Sequence, residues 1–389
     1  MSTESEHDVI IVGGGPVGSA LAIALADGTR SMLLVEPRSE PTRADDPRTL
    51  ALSFGSRLIL ERLGVWSRIV PATAIRTIHV SHRGGFGRAM LTASEIGLPA
   101  LGYVVPYGAL QSALAQSAQK GRNVTSLTGF RAVKVEASAD SVDVHFEQTS
   151  GAMRRSARGK LAVIADGGAI AQGLAHVQVR EYGQSALVAN VLTSRPHRNW
   201  AFERFTPEGP LALLPRDAGY ALVWTSAPES TGLLCSLSPS AFLAHLQATF
   251  GQRAGTFDGV ESRISFPLAL RIAESPTVAR TLLLGNAAQT LHPVAGQGLN
   301  LGLRDAWDLA DEIQLRPGDP GERQLLTAYA NRRRNDRAWG ISLTDTLVSA
   351  FSNNRLPLRW LRGCGLTLLD SLPPVKRAFM QQMTFGRLL

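Results

Sequence analysis

The sequence predicts an α/β protein in which a parallel sheet near the N-terminus is followed by a second, sheet-rich domain. The first supporting observation is a β-branched apolar run, Asp8 to Val12, followed by glycines and then by apolar residues at helical spacing. A second apolar run, Ser31 to Val35, follows a break at 27–30 and completes a βαβ unit. The third is a stretch from about Tyr182 to Phe266 in which short extended runs alternate with turn signals, at 207–209 and 217–219.

The remaining elements of the chain mix α and β patterns. From Leu299 onward the apolar residues fall on one helical face, which Leu299, Leu303, Ala306 and Ala310 share. Helices are predicted over 52–63, 110–118 and from 299 onward, and strands over 75–80, 103–105, 133–135, 142–146, 161–165 and 281–284.

Size and composition indicate a folded globular protein. The 389 residues exceed the usual domain size of about 100–200 residues, so two connected domains are expected. No apolar run approaches the roughly 18–20 residues of a membrane span, and the polar, acidic start of the chain is unlike a secretory signal. A cytoplasmic location is therefore expected. Cys235 and Cys364 lie too far apart in sequence for a disulfide framework or a metal-ligand motif, so no metal is predicted.

The positive charge of the chain is concentrated in its C-terminal part. Of a formal net charge of +8, an excess of seven arises between Arg332 and the C-terminus, where ten Lys or Arg residues face three Asp or Glu. No helix-turn-helix or aromatic-interleaved basic module accompanies this charge, so nucleic acid is not an expected partner. A solvated helix face is the simplest interpretation.

The first motif with chemical content is the glycine-rich run from Gly13 to Gly18, which reads G-x-G-x-x-G between a strand and a helix. Gly13 permits the tight turn, Gly15 lets the backbone approach a pyrophosphate at the helix N-terminus, and Gly18 permits close packing of the helix. Glu36, about 20 residues further on, can accept hydrogen bonds from an adenosine ribose. This unit predicts a dinucleotide site but does not separate FAD from NAD.

Two more glycine-containing motifs follow buried strands. Ala165-Asp166-Gly167-Gly168 ends one strand, although such a turn is common on its own. The run Leu284-Gly285-Asn286-Ala287-Ala288 ends another, and it continues through His292-Pro293 and Gly296-Gln297-Gly298-Leu299-Asn300 into the amphipathic helix. A glycine-rich loop that leads into a helix offers backbone N–H groups and a positive dipole end to an anion, and reduced flavin is such an anion.

These three motifs, in this order, resemble the group A flavin monooxygenases related to para-hydroxybenzoate hydroxylase. More narrowly, the chain is similar to the ubiquinone-biosynthesis hydroxylases from about Asp8 to Arg334, including the runs at 46–52 and 205–215. Asn286 stands where many members carry Asp, a variant that looks like the 2-polyprenyl-6-methoxyphenol hydroxylase branch. The Asn286 amide oxygen can still accept from a ribityl hydroxyl. Ile170 replaces a usual Ser, which leaves pyridine-nucleotide contacts near Asp166 open.

The resemblance implies a GR2-type Rossmann FAD-binding domain interleaved with a smaller mixed-sheet substrate domain, followed by a helical C-terminal segment. The corresponding boundaries are 1–74, 101–180 and 277–330 for the FAD-binding domain, 75–100 and 181–276 for the substrate domain, and 331–389 for the C-terminal segment. Arg48 is implied to lie beside the flavin. The predicted cofactor-binding residues are Gly13, Gly15, Pro16, Val17, Gly18, Glu36, Arg48, Asp166, Asn286, Pro293, Gly296, Gln297, Gly298, Leu299 and Asn300.

The resemblance also implies the reaction. NADPH or another donor reduces the flavin, O2 forms a C4a-hydroperoxide, and its distal oxygen passes to the ring of a prenylated phenol. Trp200, Phe202 and Phe205 are candidates for the substrate pocket, although aromatic residues in a sheet more often belong to the core. No residue pair indicates a dedicated base, and His292 is only a weak candidate for an acid or base.

Two rival functions remain open at this stage. One is an FAD-dependent reductase or a hydroxylase of another aromatic or isoprenoid substrate, and the other is a non-catalytic flavin-binding subunit of an assembly. The W-x-W-x-I-P pattern of flavin halogenases is absent from the sequence, which argues against halogenation.

The C-terminal segment suggests contact with a membrane surface, because a polyprenyl phenol would reside in lipid. Basic residues and leucines are interspersed there, a mixture suited to peripheral attachment at the anionic inner face of a membrane. The alternative is that these leucines close the FAD-binding domain or form a homo-oligomer or assembly interface. The residues concerned are Arg355, Arg359, Arg362, Lys376, Arg377, Leu356, Leu358, Trp360, Leu361, Leu366, Leu368 and Leu369.

Overall fold

The computed structural model describes residues 5–40, 46, 48–151, 153–351 and 356–386, except for the side chains of residues 5, 295 and 356–359. The described strands are β1 (Ser5–Val12), β2 (Met32–Glu36), β3 (Thr49–Ser53), β4 (Thr73–Ile75), β5 (Thr77–His82), β6 (Arg88–Thr92), β7 (Gly102–Pro106), β8 (Val124–Thr128), β9 (Phe130–Ala137), β10 (Val142–Gln148), β11 (Arg154–Ile164), β12 (Val177–Thr193), β13 (Trp200–Phe205), β14 (Pro210–Arg216), β15 (Gly219–Ser226), β16 (Phe257–Ala273), β17 (Thr277–Val278), β18 (Thr281–Leu283) and β19 (Gln289–Thr290). The described helices are α1 (Pro16–Ala24), α2 (Phe54–Arg62), α3 (Tyr107–Ala118), α4 (Ala171–Leu174), α5 (Pro228–Ser236), α6 (Pro239–Phe250), α7 (Gln297–Leu315), α8 (Arg323–Phe351), α9 (Leu356–Ser371) and α10 (Pro373–Phe385).

The first sheet has the order β17-β18-β11-β1-β2-β8, and β10 and β9 extend it from β11. Strands β18, β11, β1, β2 and β8 are parallel, as the predicted βαβ unit requires. β1 reads as a continuous apolar run because both faces of a central parallel strand are covered. Helices α1, α3 and α7 contribute to the apolar core on one face, and β9 and β10 contribute to the other.

The second sheet has the order β19-β16-β12-β15-β14-β13-β5-β6 and is antiparallel except at the β13–β5 pair. The predicted turns at 207–209 and 217–219 do connect β13 to β14 and β14 to β15. The expectation that short strands dominate 182–266 holds for β13, β14 and β15, but β12 and β16 each run for 17 residues. Two helices, α5 and α6, also lie within that range and cover one face of the sheet.

Helices α5 and α6 were missed from apolar periodicity, but the sequence carries local signals for the start of each helix. Both begin with a proline in the first turn, where the missing N–H costs no hydrogen bond. At α6 the Ser238 side chain also accepts a hydrogen bond from the backbone N–H of Ala241, at 3.3 Å.

A small third sheet has the order β3-β7-β4, and its residues Ile75 and Val104 pack beside Ala201 of the second sheet. The strands of the first large sheet come from 5–36, 124–164 and 277–283, and those of the second come from 77–92, 177–273 and 289–290. The domain boundaries given above stay a prediction. None of the helices in the described ranges combines the length and apolarity that a membrane span requires.

Helices α7 and α8 are joined by buried ion pairs. Arg333, on α8, contacts Asp305 and Asp308 on α7 at 2.7 and 2.8 Å, and Asp336 on its own helix at 2.6 Å. Arg304 of α7 pairs in turn with Asp336 at 2.8 Å. Part of the positive charge that sequence counting assigned to the C-terminal segment is therefore neutralised inside the protein.

Candidate active site

All three sequence motifs follow the carboxyl ends of adjacent parallel strands. The register places Val12 of β1 beside Val35 of β2 and Ile164 of β11, and Ile164 beside Leu283 of β18. The segments that begin at Gly13, Glu36, Ala165 and Leu284 therefore meet at one edge of the sheet. Ligands of open α/β sheets bind at this edge.

The glycines of the first motif have three different surroundings. Gly13 has a φ of +107°, and a Cβ there would lie 2.5 Å from the Ala165 carbonyl oxygen. A Cβ on Gly18 would lie in the space of the Gly13 carbonyl oxygen, so this residue allows α1 to approach the turn. A Cβ on Gly15 would meet nothing within 4 Å. Gly15 is the N-cap of α1, and because it has no side chain it forms no capping hydrogen bond. The backbone N–H groups at the start of α1 therefore stay available to a ligand in this open space.

Glu36 ties the end of β2 to the glycine turn. Its Oε2 accepts a hydrogen bond from the backbone N–H of Gly14 at 2.8 Å, and its Oε1 accepts one from Nε of Arg38 at 2.5 Å. Both Glu36 and Arg38 line the cavity described below. A carboxylate held in this way is preorganised to accept from a further hydroxyl group.

Arg48 and Asp166 also line the cavity, and both side chains are held by neighbours. The Arg48 guanidinium forms a 2.6 Å ion pair with Asp46 and lies over the Tyr107 ring at 3.9 Å. The hydrogen bond from Arg48 lowers the pKa of Asp46, with a backbone hydrogen bond adding to it, so that carboxyl is ionised at neutral pH. Asp166 accepts hydrogen bonds from the backbone N–H groups of Gly168 and Ile170.

The third motif ends in a second open helix N-terminus. Gly296, in the left-handed conformation at φ 59°, is the N-cap of α7, and no side chain caps this end. A Cβ on Gly298 would meet nothing within 4 Å. Gly296, Gly298, Leu299, Pro293 and Asn286 line the cavity.

The Asn300 side chain forms hydrogen bonds that hold the loop before α7 in place. Its Oδ1 accepts from the backbone N–H of Ser53 at 2.8 Å, and its Nδ2 donates to the carbonyl oxygens of Ala51 and Gly296 at 3.0 and 2.6 Å. These bonds join α7 to β3. Gln297, Asn300 and Gly18 are not among the residues that border the cavity, and their role as cofactor contacts stays a prediction.

One cavity of about 890 Å³ connects these motifs to the second sheet. This volume lies within the range of about 300–1,000 Å³ that is typical of ligand sites. Polar groups line its end at the first sheet. Its other end is mostly apolar, and the residues there are Ile75, Ile78, Val80, Leu91, Ala201, Phe205, Ala212, Leu214, Val223, Leu291, Val294, Leu347, Phe351, Leu366, Leu369, Phe379 and Met383.

The three aromatic candidates for the substrate pocket have different positions. Phe205 borders the cavity and stacks on Phe351, with ring centroids 3.9 Å apart. Phe202 borders the cavity but packs into the core beside Tyr220. Trp200 is not among the residues that border the cavity, and its side chain is partly exposed.

Glu203 is the site residue that sequence reasoning missed. It lies on β13 between Val80 of β5 and Ala212 of β14, and it borders the apolar end of the cavity. Burial raises the pKa of Glu203 to about 7. The available signal was a lone carboxylate within the alternating strand 200–205, at a position where strand periodicity puts it on the same face as Ala201 and Phe205.

His292 borders the same end of the cavity and is 1% exposed. Its Nδ1 accepts a hydrogen bond from the backbone N–H of Val294 at 3.1 Å, which shapes the loop. Burial lowers the pKa of His292 to about 4, so the ring is neutral near pH 7 and carries its proton on Nε2. In this state His292 can donate a hydrogen bond but is a weak base.

The arrangement fits FAD. Two open helix N-termini, those of α1 and α7, suit a pyrophosphate at one end of the cavity and an anionic ring system further along it. The fold and the site thus define an FAD-binding oxidoreductase. A family model described as an FAD binding domain matches residues 6–342, and the chain belongs to this family of FAD-dependent monooxygenases.

Two relatives that are similar to this chain span nearly all of it. Ubiquinone hydroxylase UbiL of Rhodospirillum rubrum is 32% identical over 401 residues, covering 98% of this chain and 90% of the relative. The 3-demethoxyubiquinol 3-hydroxylase of Escherichia coli is 31% identical over 399 residues, covering 96% and 97%. The p-nitrophenol 4-monooxygenase PnpA of Pseudomonas putida matches the fold with a TM-score of 0.80 over 100% of both chains, at 18% identity. The family resemblance and the fold class predicted from the motifs are confirmed.

Proposed function

We propose that this protein hydroxylates the aromatic ring of a prenylated phenol in ubiquinone biosynthesis. The observation that carries the proposal is the single cavity, which runs from the dinucleotide-type edge of the first sheet into a mostly apolar chamber. The names of the two relatives above, both hydroxylases of ubiquinone or a precursor, support this substrate class.

The cofactor supplies the redox chemistry and the chain supplies binding and electrostatics. FAD, when bound, would take electrons from NADPH or another donor and activate O2 by the route that the resemblance implies. The α1 N-terminus at Gly15 would hold the pyrophosphate, and Glu36 would accept from the ribose. The α7 N-terminus at Gly296 would stabilise negative charge on the ring system.

The apolar chamber suits an isoprenoid tail. Its wall away from the second sheet comes from α8, α9 and α10, through Leu347, Phe351, Leu366, Leu369, Phe379 and Met383. Burial of apolar surface contributes roughly 25 cal/mol per Å², so a tail of several isoprene units would dominate the binding free energy. A dry chamber also excludes the water that would discharge an activated oxygen species.

Helix α9 would admit such a substrate from lipid. Leu366 and Leu369 on one side border the cavity, while Trp360, Leu361 and Leu368 are 67%, 65% and 60% exposed. Exposed large apolar side chains that lie together are typical of an interaction site. We infer that this outer face of α9, named here by Trp360, Leu361 and Leu368, contacts a membrane surface.

Not every residue of the predicted membrane-contacting set supports that role. Lys376 forms ion pairs with Glu95 and Asp370 at 3.0 and 3.1 Å, so its charge is engaged within the protein. Leu366 and Leu369 face inward. Arg355 and the side chains of Leu356, Leu358 and Arg359 lie outside the described residues.

Vesicle flotation with point variants tests the membrane contact. Replacing Trp360, Leu361 and Leu368 together by Gln should abolish flotation with phosphatidylglycerol-containing phosphatidylcholine vesicles, because the apolar contact is lost. Leu315→Gln is the matched control, since Leu315 is 67% exposed at the end of α7. Unchanged flotation of the folded triple variant would assign α9 another role, such as an oligomer interface. Point changes are preferable to truncation, because α10 borders the cavity through Phe379 and Met383.

Substrate-stimulated turnover tests the proposed reaction. Purified FAD-loaded protein should oxidise NADPH faster when a short-chain prenylated phenol is present, and mass spectrometry should detect the hydroxylated phenol. NADPH oxidation with a reduced or otherwise altered product would favour a reductase. Bound FAD with no turnover under any donor would favour a non-catalytic assembly subunit.

A further inference from the structure

Glu203 differs from the other described ionisable residues that border the cavity, because it is the carboxylate at the apolar end. Six of them, Glu36, Arg38, Arg48, Tyr107, Arg131 and Asp166, lie toward the edge of the first sheet where the cofactor motifs meet. Of the described ionisable residues that border the cavity, only Glu203 and His292 belong to the apolar end. The Glu203 residue is half-buried and borders the cavity.

The Glu203 carboxylate has no bonding partner among the described residues. Burial is the sole cause of its raised pKa, so neither an ion pair nor a hydrogen bond offsets the cost of enclosing it. Its neighbours across the strands are Val80 and Ala212, and apolar residues would pack at this position at lower cost. A buried ionisable group without a structural partner in a cleft is a candidate for a functional role.

We propose that Glu203 binds the phenolic hydroxyl of the substrate and accepts its proton during ring hydroxylation. This inference rests on the proposed function, because it needs a phenol in the apolar end of the cavity. The hydroxyl is the one polar group that every phenol carries, and a lone carboxylate in an apolar wall would orient the ring by bonding it. A charge-assisted hydrogen bond of this kind is about twice as strong as a neutral one.

The proton transfer balances without a redox change at Glu203. The phenolic O–H bond breaks, its proton moves to the carboxylate, and its electron pair stays on oxygen and flows into the ring. That electron flow makes the ring carbon a better nucleophile for one oxygen atom of O2, while the other oxygen atom leaves as water with two electrons from the reductant and two protons. When the hydroxylated carbon loses its own proton to solvent, Glu203 returns its proton to the substrate oxygen.

The pH range in which Glu203 can accept the phenolic proton depends on the ionisable groups around it. His79 of β5 and Arg204 of β13 point to the opposite face of the sheet, where Arg204 bonds Thr249 and Ser81. His292 faces the cavity but stays neutral above about pH 5, since burial lowers its pKa to about 4. Among the described residues at the apolar end, Glu203, with a pKa of about 7, is therefore the group that titrates near neutral pH, and it accepts protons only as the pH rises through 7.

Paired ligands that differ only in the hydroxyl group test the inference by binding, without turnover. The probes are 2-geranylphenol and its methyl ether, titrated into FAD-loaded protein with flavin fluorescence as the signal. Wild-type protein at pH 8 should prefer the phenol by about 10- to 100-fold, and this preference should shrink as the pH falls to 6. Glu203→Gln should bring the preference to within about threefold and remove its pH dependence, while affinity for the ether stays unchanged.

The control and the outcomes separate this inference from the proposed function. Glu261→Gln, an exposed carboxylate of the same sheet on β16, should behave as wild type. If Glu203→Gln keeps its FAD and the full pH-dependent preference for the phenol, Glu203 does not bind the hydroxyl, although the protein can still be a hydroxylase. If wild-type protein binds neither probe, the proposed substrate class fails, and this inference fails with it.

Discussion

At the scale of single residues, the glycines of the first turn separate folding from binding. A side chain on Gly18 would lie in the space of the Gly13 carbonyl oxygen, whereas one on Gly15 would enter open space in front of α1. Gly18 therefore allows close packing of α1 against the glycine turn. Gly15 leaves room for a ligand at a helix N-terminus.

We expect Gly15→Val to fold and to lose FAD affinity by about 100-fold or more, because the added side chain would occupy the place of the pyrophosphate. Isothermal titration with FAD and circular dichroism would measure both properties. Gly173→Val, in the exposed helix α4, is the matched control, since a Cβ there also meets nothing within 4 Å. Stoichiometric FAD in folded Gly15→Val protein would exclude this pyrophosphate site.

Several residue roles could be predicted from the sequence and others could not. The turn glycines and Glu36 follow from local chain geometry, because the strand–turn–helix unit is written in adjacent residues. Glu203 was not predicted, because its role depends on the cavity that the second sheet borders. No local sequence pattern indicates that cavity. Asn300 was predicted as a flavin contact, yet its bonds to Ser53, Ala51 and Gly296 depend on the distant strand β3.

At the scale of elements, helix α7 connects the predicted cofactor site to the C-terminal helix α8. Its N-terminus opens on the cavity, and its buried acidic residues anchor α8. A helix N-terminus stabilises nearby negative charge by typically 0.3–1 kcal/mol, and up to about 2 kcal/mol in partly buried sites.

We expect Gly298→Val to keep the fold and to lower the midpoint potential of bound flavin by about 10–40 mV, because the loop can no longer close on the reduced form. A dye-coupled reductive titration would measure the shift. Leu315→Gln, at the other end of α7, is the control. An unchanged potential together with unchanged product formation would make the loop purely structural.

The ion-pair cluster between α7 and α8 predicts a different outcome, one of stability. Arg333→Met should lower the free energy of unfolding by about 3–5 kcal/mol, because Asp305, Asp308 and Asp336 would lose the cation they share. Arg334→Met, at the next position but exposed, should change it by less than about 0.5 kcal/mol. Urea denaturation of the two FAD-loaded variants makes the comparison, and equal midpoints would show that the cluster contributes little.

Elements were predictable where periodicity is local. The strands of the βαβ unit, the antiparallel pair β9–β10 and helix α7 all match the apolar patterns of their segments. Helices α5 and α6 were missed because their proline starts resemble turns, although α6 carries Phe242, Leu246 and Phe250 at helical spacing. The lengths of β12 and β16 depend on pairing with each other, through register shifts that the sequence does not display.

At the scale of the whole molecule, two sheets and three C-terminal helices enclose one cavity with a polar and an apolar end. The polar end lies where parallel strands terminate, and the apolar end lies between the second sheet and α8–α10. This division matches a reaction in which a dinucleotide cofactor meets an apolar phenol. Residues distant in sequence, such as Gly15, Glu203 and Met383, border the same space.

The incorporation of labelled oxygen tests the central claim most directly. Purified FAD-loaded protein would be supplied with NADPH, 2-geranylphenol and oxygen-18 gas, and the product analysed by mass spectrometry. The account predicts a ring-hydroxylated phenol that carries one labelled oxygen atom, with none derived from water. Flavin that is reduced and reoxidised in the presence of the phenol, with no labelled product from it or from phenols of other prenyl chain length, would contradict the assignment as a ring hydroxylase.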